Sequence, residues 1–276
     1  MLKYLSLAVV ASVLLIAPAI AGPDTATKAE AAALGQKVPD FTIEDEDGRP
    51  FQLYKSKHSR KEIEASVLAA AAKFGAAKDA ALNTKLADLA GLKDEEGDLD
   101  GEKRAALASA AGSYYGLAAS EDSTEAFATL TDVADWIAKA NDGPIVFVCW
   151  SPNCPSVKRQ NDRMMEFAAN AGVRVYCVAS NYKDQKEHYD AFRESFEFTL
   201  RVFPDRDQRV TDILGGKKTP HYFLVGADHV LRYHGALDND PMGFMDEDER
   251  QDWLLDAVTA VRAGKEVAHA QSDPAG

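Results

Sequence analysis

The stretch Gly143-Pro-Ile-Val-Phe-Val-Cys-Trp-Ser-Pro-Asn-Cys-Pro-Ser-Val-Lys158 decides the fold. Its apolar run, Ile145 to Trp150, is uninterrupted and predicts a buried strand. Ser151-Pro152-Asn153 forms a short turn, and Cys154 follows it. Pro155 then marks the first residue of a helix, because proline has φ already set and lacks an N–H that would be unpaired there anyway. The sequence therefore places one thiol between a buried strand and a helix N-terminus. The unpaired N–H groups and partial positive charge of a helix start favour the thiolate, which is the nucleophilic form. The competing reading of this stretch is a cysteine packed inertly in an α/β crossover, a common fate for a free thiol.

Outward from this stretch the chain alternates strands and helices. The helix after Cys154 extends to about Asn170, and Val173 to Ala179 is a second buried strand. Gln185 to Phe196 reads as a helix, Arg201 to Phe203 as a short extended piece, and Gln208 to Leu214 as a short helix. Gly215-Gly-Lys-Lys-Thr-Pro220 leads into a hairpin, His221 to Val225 and Val230 to His234, with Ala227-Asp228-His229 as its turn. A last helix covers about Glu247 to Ala263. Upstream, Val38 to Ile43 and Pro50 to Tyr54 form another hairpin around Glu44 to Gly48. A strand–helix–strand unit followed by a hairpin and a closing helix predicts a mixed central sheet covered on both faces.

Residues 57–140 differ in character: alanine dominates, proline is absent, and no strand pattern occurs. Helical spacing is seen from Ile63 to Phe74, from Asp79 to Leu92, from Glu102 to Leu117, and from Thr124 to Ala140. This block reads as an all-helical insertion with structural packing as its first role and a partner-binding surface as the alternative. Its acidic loop, Asp94 to Asp100, and the Glu44–Gly48 turn both lack calcium-loop spacing.

Composition narrows the function classes. Over 276 residues the formal charge is −13, which argues against a nucleic-acid binder and for a protein repelled by anionic surfaces. Residues 1–21 carry the features of an export signal: Lys3, the apolar run Leu5 to Ile16, and the small-x-small site Ala19-Ile20-Ala21. A periplasmic or extracellular location is expected, with no membrane contact in the mature form. Residues 22–36 read as a linker and 265–276 as a flexible tail. Export implies an oxidising compartment, and three cysteines leave at least one thiol unpaired within the chain. Cys149 and Cys177 lie inside apolar runs, so Cys154 is the natural odd thiol.

Four segments now resemble one family in the right order. Gly35-Gln-Lys-Val-Pro-Asp-Phe-Thr-Ile43 with Asp47-Gly48, the block Val146 to Lys158, the Thr219-Pro220 step, and Tyr233-His-Gly-Ala-Leu-Asp238 together resemble the thioredoxin-fold redoxins, including the AhpC/TSA peroxiredoxins. The resemblance covers residues 35–55 and 143–264 and skips the helical block. It implies an α/β fold, a thioredoxin-like three-layer α/β/α sandwich with a mixed central sheet. The redoxin domain would span 37–264, interrupted by the 57–140 insertion. It also places Cys154 at the attacking position and Pro220 at a cis proline beside it, where Thr219 would offer backbone to an extended substrate. A trans proline opening an edge strand is the plain alternative for Pro220.

The departures from the family limit the chemistry. A second thiol three residues on is replaced by Val157, so no local disulfide can form. Val148 stands where thioredoxins carry a buried acid, and Phe147 replaces the peroxiredoxin proline. Ser151 keeps a hydroxyl three residues before Cys154, either to bond a thiolate or peroxide oxygen or to cap the helix. Trp150 and Thr219 are the expected substrate-binding residues, with Ser151 and Pro220 beside the catalytic Cys154. Lys158, Arg159, Lys217 and Lys218 are candidates for local positive charge. Copper-delivering relatives use two cysteines and a histidine; Cys154 and His221 would supply two of these and the third is missing, so no metal is expected. No phosphate loop, flavin or haem pattern occurs, and no cofactor is expected. The remaining histidines show no ligand spacing.

Two functions compete. In one, an exported thiol oxidoreductase uses Cys154 to attack a peroxide or a protein disulfide, and an external thiol resolves the product. In the other, a redox-inactive thioredoxin-like module binds a protein partner through its helical insertion.

Overall fold

The computed structural model describes residues 31–73, 101–127 and 129–275. The export signal and the Asp79–Leu92 helix expected from the sequence lie outside the described residues. A five-stranded mixed sheet has the order β5 (Arg201–Pro204), β4 (Arg174–Ala179), β3 (Ile145–Trp150), β6 (His221–Val225), β7 (Leu231–Gly235). The first three strands are mutually parallel, and β6 and β7 run antiparallel to their neighbours. With β3 at the centre and a helix start at its C-terminal end, this is the thioredoxin-like fold.

The uninterrupted apolar run of β3 follows from its position. Alternate side chains point to opposite faces of a sheet, and both faces of a central strand are covered. Val146, Val148 and Trp150 pack with α5 (Pro155–Asn170), α6 (Lys186–Phe196) and α8 (Trp253–Arg262). Ile145, Phe147 and Cys149 face α7 (Arg209–Leu214) and the separate hairpin of β1 (Thr42–Glu44) and β2 (Pro50–Gln52). The third layer is therefore one short helix plus a hairpin.

The described part of the insertion has its own core. α1 (Arg60–Lys73), α2 (Gly101–Gly112), α3 (Glu121–Glu125) and α4 (Leu130–Asn141) bury Ile63, Val67, Leu107, Leu130, Val133 and Ile137 among themselves. The single helix expected over 124–140 is two, because Thr129 caps a new start by accepting from the Asp132 N–H. The block docks where β4 and β5 begin, at the end of the sheet away from Cys154. Val175 N–H donates to Gly116 O at 2.6 Å. Gly116 has φ +73°, and a Cβ there would lie 2.6 Å from the Tyr176 ring, so glycine is required at this junction.

Two expectations are corrected at the chain ends. The tail is docked: His234 N–H donates to Ala270 O, Ser272 N–H donates to His234 O, and Ser272 Oγ accepts from Ala236 N–H at 2.9 Å. The edge of β7 offered unpaired backbone groups, and the tail satisfies them. Residues 31–36, read as linker, are also held, with Ala32 N–H on Ile213 O and Gly35 N–H on Leu231 O. The last helix starts at Trp253 rather than near Glu247.

Candidate functional site

Cys154 is the N-cap of α5, with φ −78° and ψ 122°, and Pro155 is the first helical residue. Lys158 N–H closes the first helical bond on Cys154 O at 3.1 Å. The next N–H groups at the helix start thus lie close to the sulfur-bearing residue without intrahelical acceptors. The thiol is partly exposed. Its Sγ donates to Thr219 O at 3.1 Å, and the Thr219–Pro220 peptide is cis. Val157, where a second thiol would be needed for a local disulfide, is buried in the core under α5.

Ser151 does neither of the jobs the sequence suggested. Its Oγ donates to Asp184 Oδ2 at 2.7 Å, and it is Ser151 O that receives the Cys154 N–H, at 3.1 Å. Asp184 is fully buried. Its other oxygen accepts from Asn153 Nδ2 at 2.8 Å and Asn181 Nδ2 at 3.3 Å. One carboxylate therefore ties the turn after β3 to the turn after β4. Charge-assisted bonds of this kind are among the stronger ones in proteins. Asp184 was missed because the two partners in the active turn, Ser151 and Asn153, lie 33 and 31 residues away in sequence; Asn153 was the one local hint that an acceptor had to be nearby.

A cleft of ≈ 470 Å³ opens beside the thiol, bounded by Cys154, Asn153, the segment Ser180–Tyr182, Gln208 and the loop Gly216–Thr219. Lys217 and Lys218 line it, opposed by Asp212. Lys158 and Arg159 face solvent instead, Arg159 bonding Ser156 Oγ. Gly216 is a packing requirement: a Cβ would sit 2.6 Å from Cys149 Sγ. Trp150 is corrected as a substrate-binding residue. It is 0% exposed, stacked on Phe198 and set edge-on to Phe192, each at 5.0 Å. As the last β3 residue on the helix-covered face it is core, so the cleft is formed without it. A larger depression of ≈ 760 Å³ lies at the other end of the sheet, near Gly143 and Arg262, far from the thiol.

The other two cysteines are separated by the sheet. Val148 pairs with Cys177 and Cys149 with Val178, so the two thiols project to opposite faces and cannot bridge. Burial pushes Cys149 up to about 12 despite its contact with Thr211, and burial raises Cys177 further. His221 opposes Cys149 on β6 and packs on Phe223 at 4.2 Å, with both ring nitrogens buried and unpartnered among the described residues. Burial first, then His234 and Lys217, lower it to about 3. Among the described residues no group of three metal-ligating side chains converges.

A thioredoxin-like scaffold with one accessible cysteine at the helix start and the cis-proline loop against its sulfur defines the class of this site. No family model matches the chain, and no curated protein matches it by sequence. Solved structures share parts of its course. A hypothetical protein from Sinorhizobium meliloti 1021 is 19% identical, with 88% of this chain and 91% of that one covered and a TM-score of 0.49. A secreted Mycobacterium tuberculosis disulfide oxidoreductase homologous to Escherichia coli DsbE is 21% identical over 45% of this chain and 86% of its own, TM-score 0.34. The peroxidoxin BcpB of the same organism is 15% identical over 84% and 97%, TM-score 0.37. Likeness at this level assigns neither a family nor an activity to the chain.

Proposed function

We propose that the protein is a one-cysteine thiol–disulfide oxidoreductase acting in an exported, oxidising setting. The observation that carries this reading is the placement of Cys154 Sγ 3.1 Å from Thr219 O at the mouth of an open cleft. A disulfide-bearing segment laid along the Thr219 backbone brings one of its sulfurs to the thiol. Cys154 gives up its proton to solvent, and the thiolate attacks that sulfur. A Cys154–substrate disulfide forms and the other substrate sulfur leaves as a thiolate. Val157 offers no sulfur to release the adduct, so an external thiolate attacks it, regenerating Cys154 and forming the new disulfide.

Two observations favour disulfide over peroxide as the substrate. The Ser151 hydroxyl is committed to Asp184, and among the described residues Thr219 O is the one hydrogen-bond partner recorded for the sulfur. Peroxide cleavage needs donors aimed at the oxygen that leaves; the Ser151 hydroxyl is engaged elsewhere and Thr219 O only accepts, which leaves that role to the first N–H groups of α5 alone. The test is a stopped-flow comparison of wild type and Cys154→Ser with an aromatic disulfide and with hydrogen peroxide. Cys154 is expected to exchange at least about tenfold faster than a free cysteine thiol at the same pH, and to react with peroxide no faster than one. Peroxide reaction well above that of a free thiol returns the peroxidase reading.

A further inference from the structure

The loop between β7 and α8 displays apolar side chains on a rigid mount. Phe244 is 82% exposed, with Met242 at 47% and Met245 at 43% beside it. The backbone beneath them is fixed. The Asp240 carboxylate, itself buried, accepts from Gly243, Phe244 and Met245 N–H at 2.7, 3.0 and 3.1 Å. Arg163 of α5 donates to Asp238 Oδ2 at 2.8 Å and to Asp240 O at 2.5 Å. Large exposed apolar groups are informative where scattered small ones are not. Here four carboxylates follow without a break, Asp246-Glu-Asp-Glu249, all exposed.

The location links this surface to the thiol. Arg163 lies nine residues beyond Cys154 on the same helix, about 14 Å along its axis. A standard interface covers roughly 800 Å² per partner, wide enough to span both. Methionine and phenylalanine make an adaptable apolar contact that tolerates many sequences, and the acidic run with the chain's charge of −13 selects the sign of what binds.

We infer that the Met242–Phe244–Met245 platform with its Asp246–Glu249 rim docks basic, incompletely folded protein segments and holds them for exchange at Cys154. This deepens the oxidoreductase reading and rests on it for the exchange step. An apolar anchor gives contact, the carboxylates give steering and discrimination, and the cleft beside Thr219 receives the disulfide.

The experiment separates docking from exchange. Cys154→Ser protein is titrated with reduced, carboxamidomethylated lysozyme, which is unfolded, basic and free of disulfides, and with α-lactalbumin treated the same way, which is acidic. Lysozyme is expected to bind at least tenfold more tightly, with Phe244→Ser losing at least fivefold and added salt weakening the wild type. Cys154 exchange with an aromatic disulfide is expected to be unchanged by Phe244→Ser. Equal binding of the two chains, or binding indifferent to Phe244→Ser, overturns the docking inference. Phe244-dependent self-association in sedimentation, or Phe244-dependent binding to phosphatidylcholine vesicles, also overturns it by naming another occupant. Failure of the small-disulfide exchange with docking intact removes the oxidoreductase reading instead.

Discussion

Ser151 Oγ donates to the buried Asp184 Oδ2 at 2.7 Å, committing the proton of this hydroxyl to the carboxylate. The bond is structural: it fixes the turn that presents the thiol. Asp184→Ala strands the buried Ser151 donor and releases the Asn153 and Asn181 amides from the turn, and is expected to cost about 2–3 kcal/mol in urea unfolding. Ser151→Ala removes one bond and should cost about 1 kcal/mol, leaving the Cys154 exchange rate unchanged. A large rate loss in Ser151→Ala would return the hydroxyl to the chemistry.

The cysteines differ enough to be told apart by alkylation. Cys149 is raised to about 12 and Cys177 higher, each by burial, whereas Cys154 is partly exposed. At pH 8, iodoacetamide is expected to modify one thiol in the native protein and three after denaturation. Mass spectrometry of the peptides checks that the native adduct is on Cys154.

His221 makes stability fall in mild acid. Folded, its imidazole is held down to about 3 by burial; unfolded, it takes a proton near the ordinary histidine value of 6.5. The unfolded state therefore binds more protons between these values, and stability present above pH 6.5 is lost as pH falls toward 3. Thermal melts at pH 7 and 4.5 are expected to show a drop that His221→Gln reduces.

At the other end of the sheet Arg201 Nε donates to the buried Asp45 Oδ2 at 2.7 Å, while Nη1 and Nη2 reach Tyr114 O and Arg49 O at 3.1 Å. This arginine joins the insertion, the hairpin and β5. Arg201→Ala removes one of two arginines on the buried Asp45, which keeps Arg49 Nε at 2.8 Å, and is expected to cost about 2–3 kcal/mol. Cys154 exchange in the folded fraction should be unaffected, since the thiol lies past the opposite end of β3.

Local pattern carried much of this architecture. The β3 run, Pro155 after Cys154, and the alternation of strands and helices were legible because period and punctuation are local properties. What was missed depended on distance in sequence. Asp184 bonds across some 30 residues, Trp150 is turned inward by Phe192 and Phe198, and the tail is held by an edge that its own composition does not announce. Thr129 marks a helix break by capping, a signal hidden by the apolar spacing on both sides. The insertion's place at the far end of the sheet followed from Arg201 and Gly116, neither of which stands out in a single sequence.

The most direct measurement is intact-mass analysis after incubation with glutathione disulfide. One glutathione adduct on Cys154, persistent until an external thiol is added and absent in Cys154→Ser, is the predicted result. No adduct under conditions where free cysteine forms one, or an adduct that resolves itself without added thiol, would contradict the one-cysteine exchange account.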